Sequence, residues 1–254
     1  MVATASQGNV SEGPDTDMVA GVDGIPDGWL AVLMQPADQQ HSARYEVRRV
    51  RRLRDLIDSV RALRVVAIDI PIGLADVYEQ GGRTCDRLAR SLLSLRRSSV
   101  FPTPIRGTLA AATWEEACII SRGPANTGMG LSKQAFGILP KIGEIDGLLQ
   151  GDRELRSRVY EVHPELCFRM LAGAPMLHSK KSAEGRAERR LLLGKEFDLL
   201  ALEALGAAVR APTVDLLDAA VACWTAGRLY NGAAISYPDP APVDSTGLPM
   251  VMWA

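Results

Sequence analysis

The first apolar run along the chain, Met18-Val19-Ala20-Gly21-Val22, stops at Asp23-Gly24. A turn at Ile25-Pro26-Asp27-Gly28 leads straight into Trp29-Leu30-Ala31-Val32-Leu33-Met34. A link this short predicts a hairpin, so the first two strands are expected to be antiparallel. Over Arg44–Val50, Tyr45 and Val47 alternate with polar residues, which predicts a third strand. From Arg51 the period changes: Leu53, Leu56, Ile57, Val60 and Leu63 recur at helical spacing. Arg64-Val65-Val66-Ala67-Ile68 then forms a β-branched run ending in a second aspartate, Asp69. Ile70-Pro71-Ile72-Gly73 closes it, because proline lacks the ladder donor and glycine permits a turn. A right-handed crossover through the helix places this strand parallel to the first.

Beyond Gly81 the pattern breaks into short helical stretches at Cys85–Leu95, Trp114–Ser121 and Gly130–Leu149, the last interrupted near Pro140. Val100-Phe101-Pro102-Thr103-Pro104 reads as a rigid extended link and Gly123–Gly130 as a loop. Residues 81–151 are therefore expected to be a largely helical insertion. Arg158–Val162 is another strand, ended by His163-Pro164-Glu165, and a helix starts at Glu165. Arg186–Leu205 reads as nearly continuous helix with Gly206 as its stop. Val214–Tyr230 is a long helix with Asp215 and Asp218 in its first turns. The polar residues 1–17 read as a disordered leader, 18–235 as one α/β domain, and the proline-rich 236–254 as an extended tail.

With 29 basic against 30 acidic residues, the chain is not built to coat nucleic acid over its whole surface, although a local basic groove stays open. The four cysteines form no C-x-x-C and there are three histidines, which gives no case for a zinc site or a disulfide framework. Cys118, Cys167 and Cys223 sit among apolar neighbours and read as buried thiols in a reducing compartment. No apolar run approaches the ~18 residues of a membrane span, so cytoplasm is the expected location and a membrane is not an expected partner. Oligomeric state stays open, a homodimer included.

The candidate chemistry is acidic. Three strands end in or just before a carboxylate: Asp23, Asp69 and Glu161. Strand ends in an open α/β sheet converge on a common crevice. Asp215 and Asp218 are three residues apart on one helix, so they share a face. Like charges gathered in a partly apolar cleft raise each other's pKa unless a cation neutralises them, and Mg²⁺ or Mn²⁺ suits carboxylate oxygens. Asp23, Asp69, Asp218 and Asp215 are thus the candidate metal ligands. Glu161 and His163 join Asp23, Asp69 and Asp218 as candidate catalytic residues. A second reading makes Asp23 and Asp69 turn residues beside Gly24 and Pro71, and Asp215 an acid favoured at a helix N-terminus.

Eight arginines fall within Arg44–Arg64 and six within Arg83–Arg106; Lys180, Lys181, Arg186, Arg189 and Arg190 form a third cluster. Such side chains position phosphate oxygens without reading sequence. Arg83, Arg96, Arg97, Lys180 and Lys181, near glycine, serine or proline loop signals, are the candidate substrate-positioning residues. No G-x-G-x-x-G, P-loop or G-x-S-x-G order is present.

Gly21-Val22-Asp23-Gly24 with Gly28-Trp29, Asp69-Ile70-Pro71-Ile72-Gly73-Leu74, Cys85-Asp86-x-x-Ala89-Arg90 and Arg97-Ser98-Ser99-Val100-Phe101-Pro102-Thr103-Pro104 form a distinctive succession. With Glu161-Val162-His163-Pro164-Glu165, Ser179-Lys180-Lys181 and Asp218-Ala219-Ala220, it resembles the domain-of-unknown-function family number 429, from about residue 19 to residue 235. That family is grouped with ribonuclease H-like proteins and predicted to contain nucleases. The resemblance implies a ribonuclease H-like mixed sheet with an insertion. Asp23 matches the first-strand acid, Asp69 the acid at the fourth-strand end, and Asp218, with Asp215, the terminal-helix acids; Glu161 is family-typical without matching a standard ligand. The leading expectation is a divalent-metal-dependent nuclease acting on RNA or DNA. Two alternatives stand beside it: a non-hydrolytic nucleic-acid or protein-binding module, and an actin-like ATPase or small-molecule kinase.

Overall fold

The computed structural model describes residues 3–6, 16–35, 44–123 and 128–254. Most of the expected leader, and residues 124–127 of the expected Gly123–Gly130 loop, lie outside these. The chain divides into two compact units: Met1–Asp69 with Arg158–Ile235 and Trp253–Ala254, and Ile70–Ser157 with Ser236–Met252.

The first unit is a mixed α/β layer. In chain order it contains β1 (Ala3–Ser6), β2 (Met18–Ile25), β3 (Gly28–Gln35), β4 (Arg44–Val50), α1 (Leu53–Ser59) and β5 (Leu63–Ile68). The second unit supplies α2 (Thr84–Leu93), α3 (Trp114–Arg122), α4 (Lys133–Gly137) and α5 (Leu139–Gly151). The chain then returns to the first unit with β6 (Val159–Glu161), α6 (Pro164–Ala172), α7 (Ala183–Leu193), α8 (Leu199–Ala208) and α9 (Thr213–Tyr230).

The sheet order is β1-β4-β3-β2-β5-β6. Strands β2, β3 and β4 pair antiparallel, as the short turn at Pro26-Asp27 requires. Strand β5 returns parallel to β2, and β6 adds parallel to β5. Ala3–Ser6, inside the stretch expected as leader, pairs antiparallel with β4 at the sheet edge. Because side chains alternate across a strand, Val19, Ile25, Leu30, Val32, Val65 and Ala67 all point to one face. There they form a core with Cys167 and Phe168 of α6, Leu193 of α7, Leu202 of α8 and the apolar face of α9.

Two helical expectations need correction. Arg186–Leu205 is not one helix: α7 stops where the Gly194 N–H bonds the Arg190 carbonyl at 2.9 Å. Helix α8 restarts where the Asp198 carboxylate accepts from the Ala201 N–H at 3.1 Å. Gly206 is no stop either, since it lies within α8, and a Cβ there would meet Leu216 Cδ2 at 2.5 Å. The glycine is a packing notch for α9, and the chain turns instead at Arg210, whose φ is +56°.

In the second unit, Pro140 occupies the first turn of α5, where its missing N–H costs nothing. The unit extends past the expected insertion to Ile70–Ser157 and includes Ser236–Met252 from the tail. Buried Asp244 holds that tail: it accepts from Leu74 N–H and Leu248 N–H, each at 2.9 Å, and pairs with Arg106 at 2.5 Å.

Candidate acidic site

Strand register decides which acids can meet. Val22 is the register partner of Ile68, so Asp23 and Asp69 each come one residue later, where the parallel pairing of β2 and β5 stops. The Asp69 N–H donates to the Val22 carbonyl at 2.9 Å, which ties these two ends together. Asp23 has the parity of Val19 and Gly21, and Asp69 that of Val65 and Ala67, so both belong to the face that α9 covers.

Helix α9 lies against this face at unusually short range, and Gly21 is the reason. A Cβ at Gly21 would sit 2.0 Å from the Cys223 nitrogen and 2.2 Å from the Ala219 carbonyl oxygen. Only a residue without a side chain lets helix and strand backbones touch. The helix therefore brings Asp218, itself 1% exposed, down to the strand ends. Asp215, one turn earlier, is only partly buried, at the outer end of the helix.

One cation enters this group. Lys180 Nζ is 2.5 Å from Asp218 Oδ2. Asp218 Oδ1 is buried and has no hydrogen-bond partner. Lys180 is carried by a braced strap. Glu188 accepts the Leu177 and His178 N–H groups at 2.9 and 3.1 Å, and the Ser182 N–H donates to the Ser179 carbonyl at 2.9 Å. Helix α7 starts so close that a Cβ at Gly185 would lie 1.9 Å from the Ser179 carbonyl oxygen. Beneath the strap, Arg189 Nη2 pairs with Glu165 Oε1 at 2.6 Å, with the side chains 1% and 3% exposed. Arg189 Nη1 also donates to the His178 carbonyl at 3.2 Å and the Gly185 carbonyl at 2.8 Å.

The charges do not balance. Burial, then the neighbouring Asp69 and Asp218, hold the Asp23 carboxyl well above the usual carboxylate range. Burial also raises Asp69, against the pull of His163 and Lys180. Asp218 is pushed up to about 6 by burial although Lys180 is bonded to it. Asp215 is raised by burial as well. Burial opposes the Lys180 charge, but Asp218, Asp69 and Asp23 outweigh it and keep the ammonium protonated above its ordinary range. Burial is the first cause of each acid's rise, and the Lys180 ammonium offsets it only in part.

Of the residues proposed from the sequence, Asp23, Asp69, Asp218 and Lys180 act on one another electrostatically, with Asp215 at the margin. One oxygen from each of Asp23, Asp69 and Asp218 does not fall within a common 4.8 Å separation. His163 sits just before α6 and close enough to Asp69 to favour its charged form. Glu161 stands apart from these acids. It is the register partner of Ile68, one residue out of step with Asp23 and Asp69, so its side chain points to the opposite face of the sheet. Arg83 is also set apart: it is 2% exposed, and its guanidinium bonds Asp86 Oδ1 at 2.9 Å and the Ile72 carbonyl at 2.7 Å. Asp86 in turn accepts from the Thr103 N–H at 2.9 Å, so this arginine organises its own unit. Arg96 is partly buried and Arg97 exposed in the second unit; Lys181 is exposed beside Lys180.

The buried pairing of Arg189 with Glu165 is not visible in the basic cluster of Lys180, Lys181, Arg186, Arg189 and Arg190. Gly185, Arg189 and Leu193 recur every four residues and are the buried positions of α7, a period that was available in the sequence.

Fold and site together define a mixed α/β protein with a buried acidic cluster where the pairing of two parallel strands stops beneath a long helix. The chain belongs to the family described as "Protein of unknown function (DUF429)", whose model matches residues 21–243. No curated protein and no solved structure gives a significant match. No helix among the described residues is long and apolar enough to cross a membrane.

Proposed function

We propose that this protein is a ribonuclease H-like nuclease that hydrolyses phosphodiester bonds in RNA or DNA with Mg²⁺ or Mn²⁺. The observation that carries the reading is Asp218: a buried carboxylate whose second oxygen has no partner, facing two further strand-end carboxylates. Three supports surround it. The strand order β4-β3-β2-β5-β6, antiparallel then parallel, is consistent with a ribonuclease H-like sheet. Acids at the ends of adjacent parallel strands occupy the crevice where α/β sheets place their sites. The gathered carboxylates offer hard oxygen donors, which suit a dication better than a second ammonium.

In this reading Asp23, Asp69 and Asp218 would hold the metal, with Asp215 at the margin. When bound, the metal supplies activation of the attacking water and stabilisation of the leaving oxygen. The protein's own groups do the rest. The strand ends fix Asp23 and Asp69, Gly21 lets α9 deliver Asp218, and His163 steadies the charge on Asp69. The ammonium of Lys180, with Lys181 exposed beside it, faces the phosphate.

The test is cleavage of structured RNA and branched DNA substrates by the wild type and by D23N/D69N, each with Mg²⁺ and with EDTA. Loss of cleavage in the variant and in EDTA is expected. Cleavage equal in all four reactions rejects the proposal.

A further inference from the structure

We infer that Lys180 is a resident counter-cation that a bound dication displaces from Asp218, releasing its ammonium toward the phosphate of the substrate. This rests on the metal-dependent reading of the acidic site and adds to it a role for one residue in metal loading.

The lysine is built in. Its backbone lies in a strap held by Glu188, Ser182, Gly185 and Arg189, yet its head group ends a flexible four-carbon stem. The side chain keeps 35% of its surface exposed while the Asp218 side chain keeps 1%. The lysine can therefore swing outward without moving the strap, whereas the aspartate cannot leave. Of the neighbouring charged groups, Glu165 is already matched by Arg189, so Lys180 answers to Asp23, Asp69, Asp218 and Asp215. An ammonium and a dication drawn to the same buried carboxylate repel each other. The ion with the greater charge and more oxygen contacts holds the position, and the lysine moves to the side where substrate phosphate brings new negative charge.

A site closed by its own lysine binds metal with an affinity reduced by the fraction of time the lysine is away. With the pair formed nine times in ten, removing the amine tightens metal binding about tenfold. The experiment is titration of full-length wild type and Lys180→Met with Mn²⁺ at pH 8, followed by the electron paramagnetic resonance signal of free Mn²⁺. Tighter binding by the variant, about tenfold or more, is expected; equal or weaker binding overturns the displacement. If neither protein binds Mn²⁺, the metal reading itself fails and the inference falls with it. If both bind equally, only the inference fails.

A second measurement needs no variant. Amine acylation of the wild type, read by mass spectrometry against Lys133 and Lys195, should label Lys180 faster with Mn²⁺ present than in EDTA. Labelling that is unchanged or slowed by Mn²⁺ overturns the proposal.

Discussion

Replacing Arg189 with methionine tests whether the strap that carries Lys180 is fixed from beneath. The guanidinium is 1% exposed, meets Glu165 at 2.6 Å, and bonds the His178 and Gly185 carbonyls at 3.2 and 2.8 Å. Methionine keeps most of the apolar stem, so the change removes charge and hydrogen bonds more than volume. It leaves the 3% exposed Glu165 without its cation. Breaking a buried pair from one side costs about 3–5 kcal/mol, a large share of the roughly 5–15 kcal/mol that holds a domain together. Much of that cost is the stranded charge, so E165Q/R189M should recover about 1–3 kcal/mol relative to the single variant. Urea unfolding followed by circular dichroism measures both. Hydrogen exchange across His178–Ser182 should accelerate in R189M before global unfolding does. A loss below about 1 kcal/mol in R189M, or a double variant no more stable than the single, refutes the reasoning.

Three further outcomes follow from the same geometry. Gly21→Ala places a Cβ 2.0 Å from the α9 backbone, whereas Gly227→Ala meets only the flexible end of Met34 at 3.2 Å. Thermal unfolding should show a loss of about 1–3 kcal/mol or more for the first and under about 1 kcal/mol for the second. Asp218 is raised in the folded protein to about 6 from 3.8, so the folded state holds the extra proton between those values. Stability in EDTA should therefore fall as pH rises through that window, by up to about 3 kcal/mol from this group, and Asp218→Asn should flatten the slope. Saturating Mn²⁺ should oppose that fall, adding about 2.7 kcal/mol at a hundredfold excess over its Kd, and D23N/D69N should lose the gain in a thermal-shift assay.

The parts of the fold that were legible in the sequence are those governed by local period. The β2–β3 hairpin shows in its Pro26-Asp27 turn, and the β5 crossover in the helical spacing from Leu53. The acids at Asp23 and Asp69 were legible because an apolar run ending in a carboxylate is visible without knowing the sheet. The position of Glu161 was not, since its face depends on a register partner nearly a hundred residues away, and a one-residue difference reverses the side chain. The break between α7 and α8 was hidden because Gly194 and Asp198 act through caps, while the apolar spacing continues across them. Arg83 and Arg189 look alike in composition to the exposed Arg97. Their burial follows from carboxylates, Asp86 and Glu165, which only the folded chain puts within reach.

The central claim is that carboxylates from two strand ends and one helix grip a dication together. Crystals grown at pH 8 and soaked in Mn²⁺, with anomalous diffraction collected at the manganese edge, address it directly. The account predicts anomalous peaks ligated by Asp23, Asp69 and Asp218, with the Lys180 ammonium moved off Asp218. Manganese absent from this group, with Lys180 still bonded to Asp218, contradicts it.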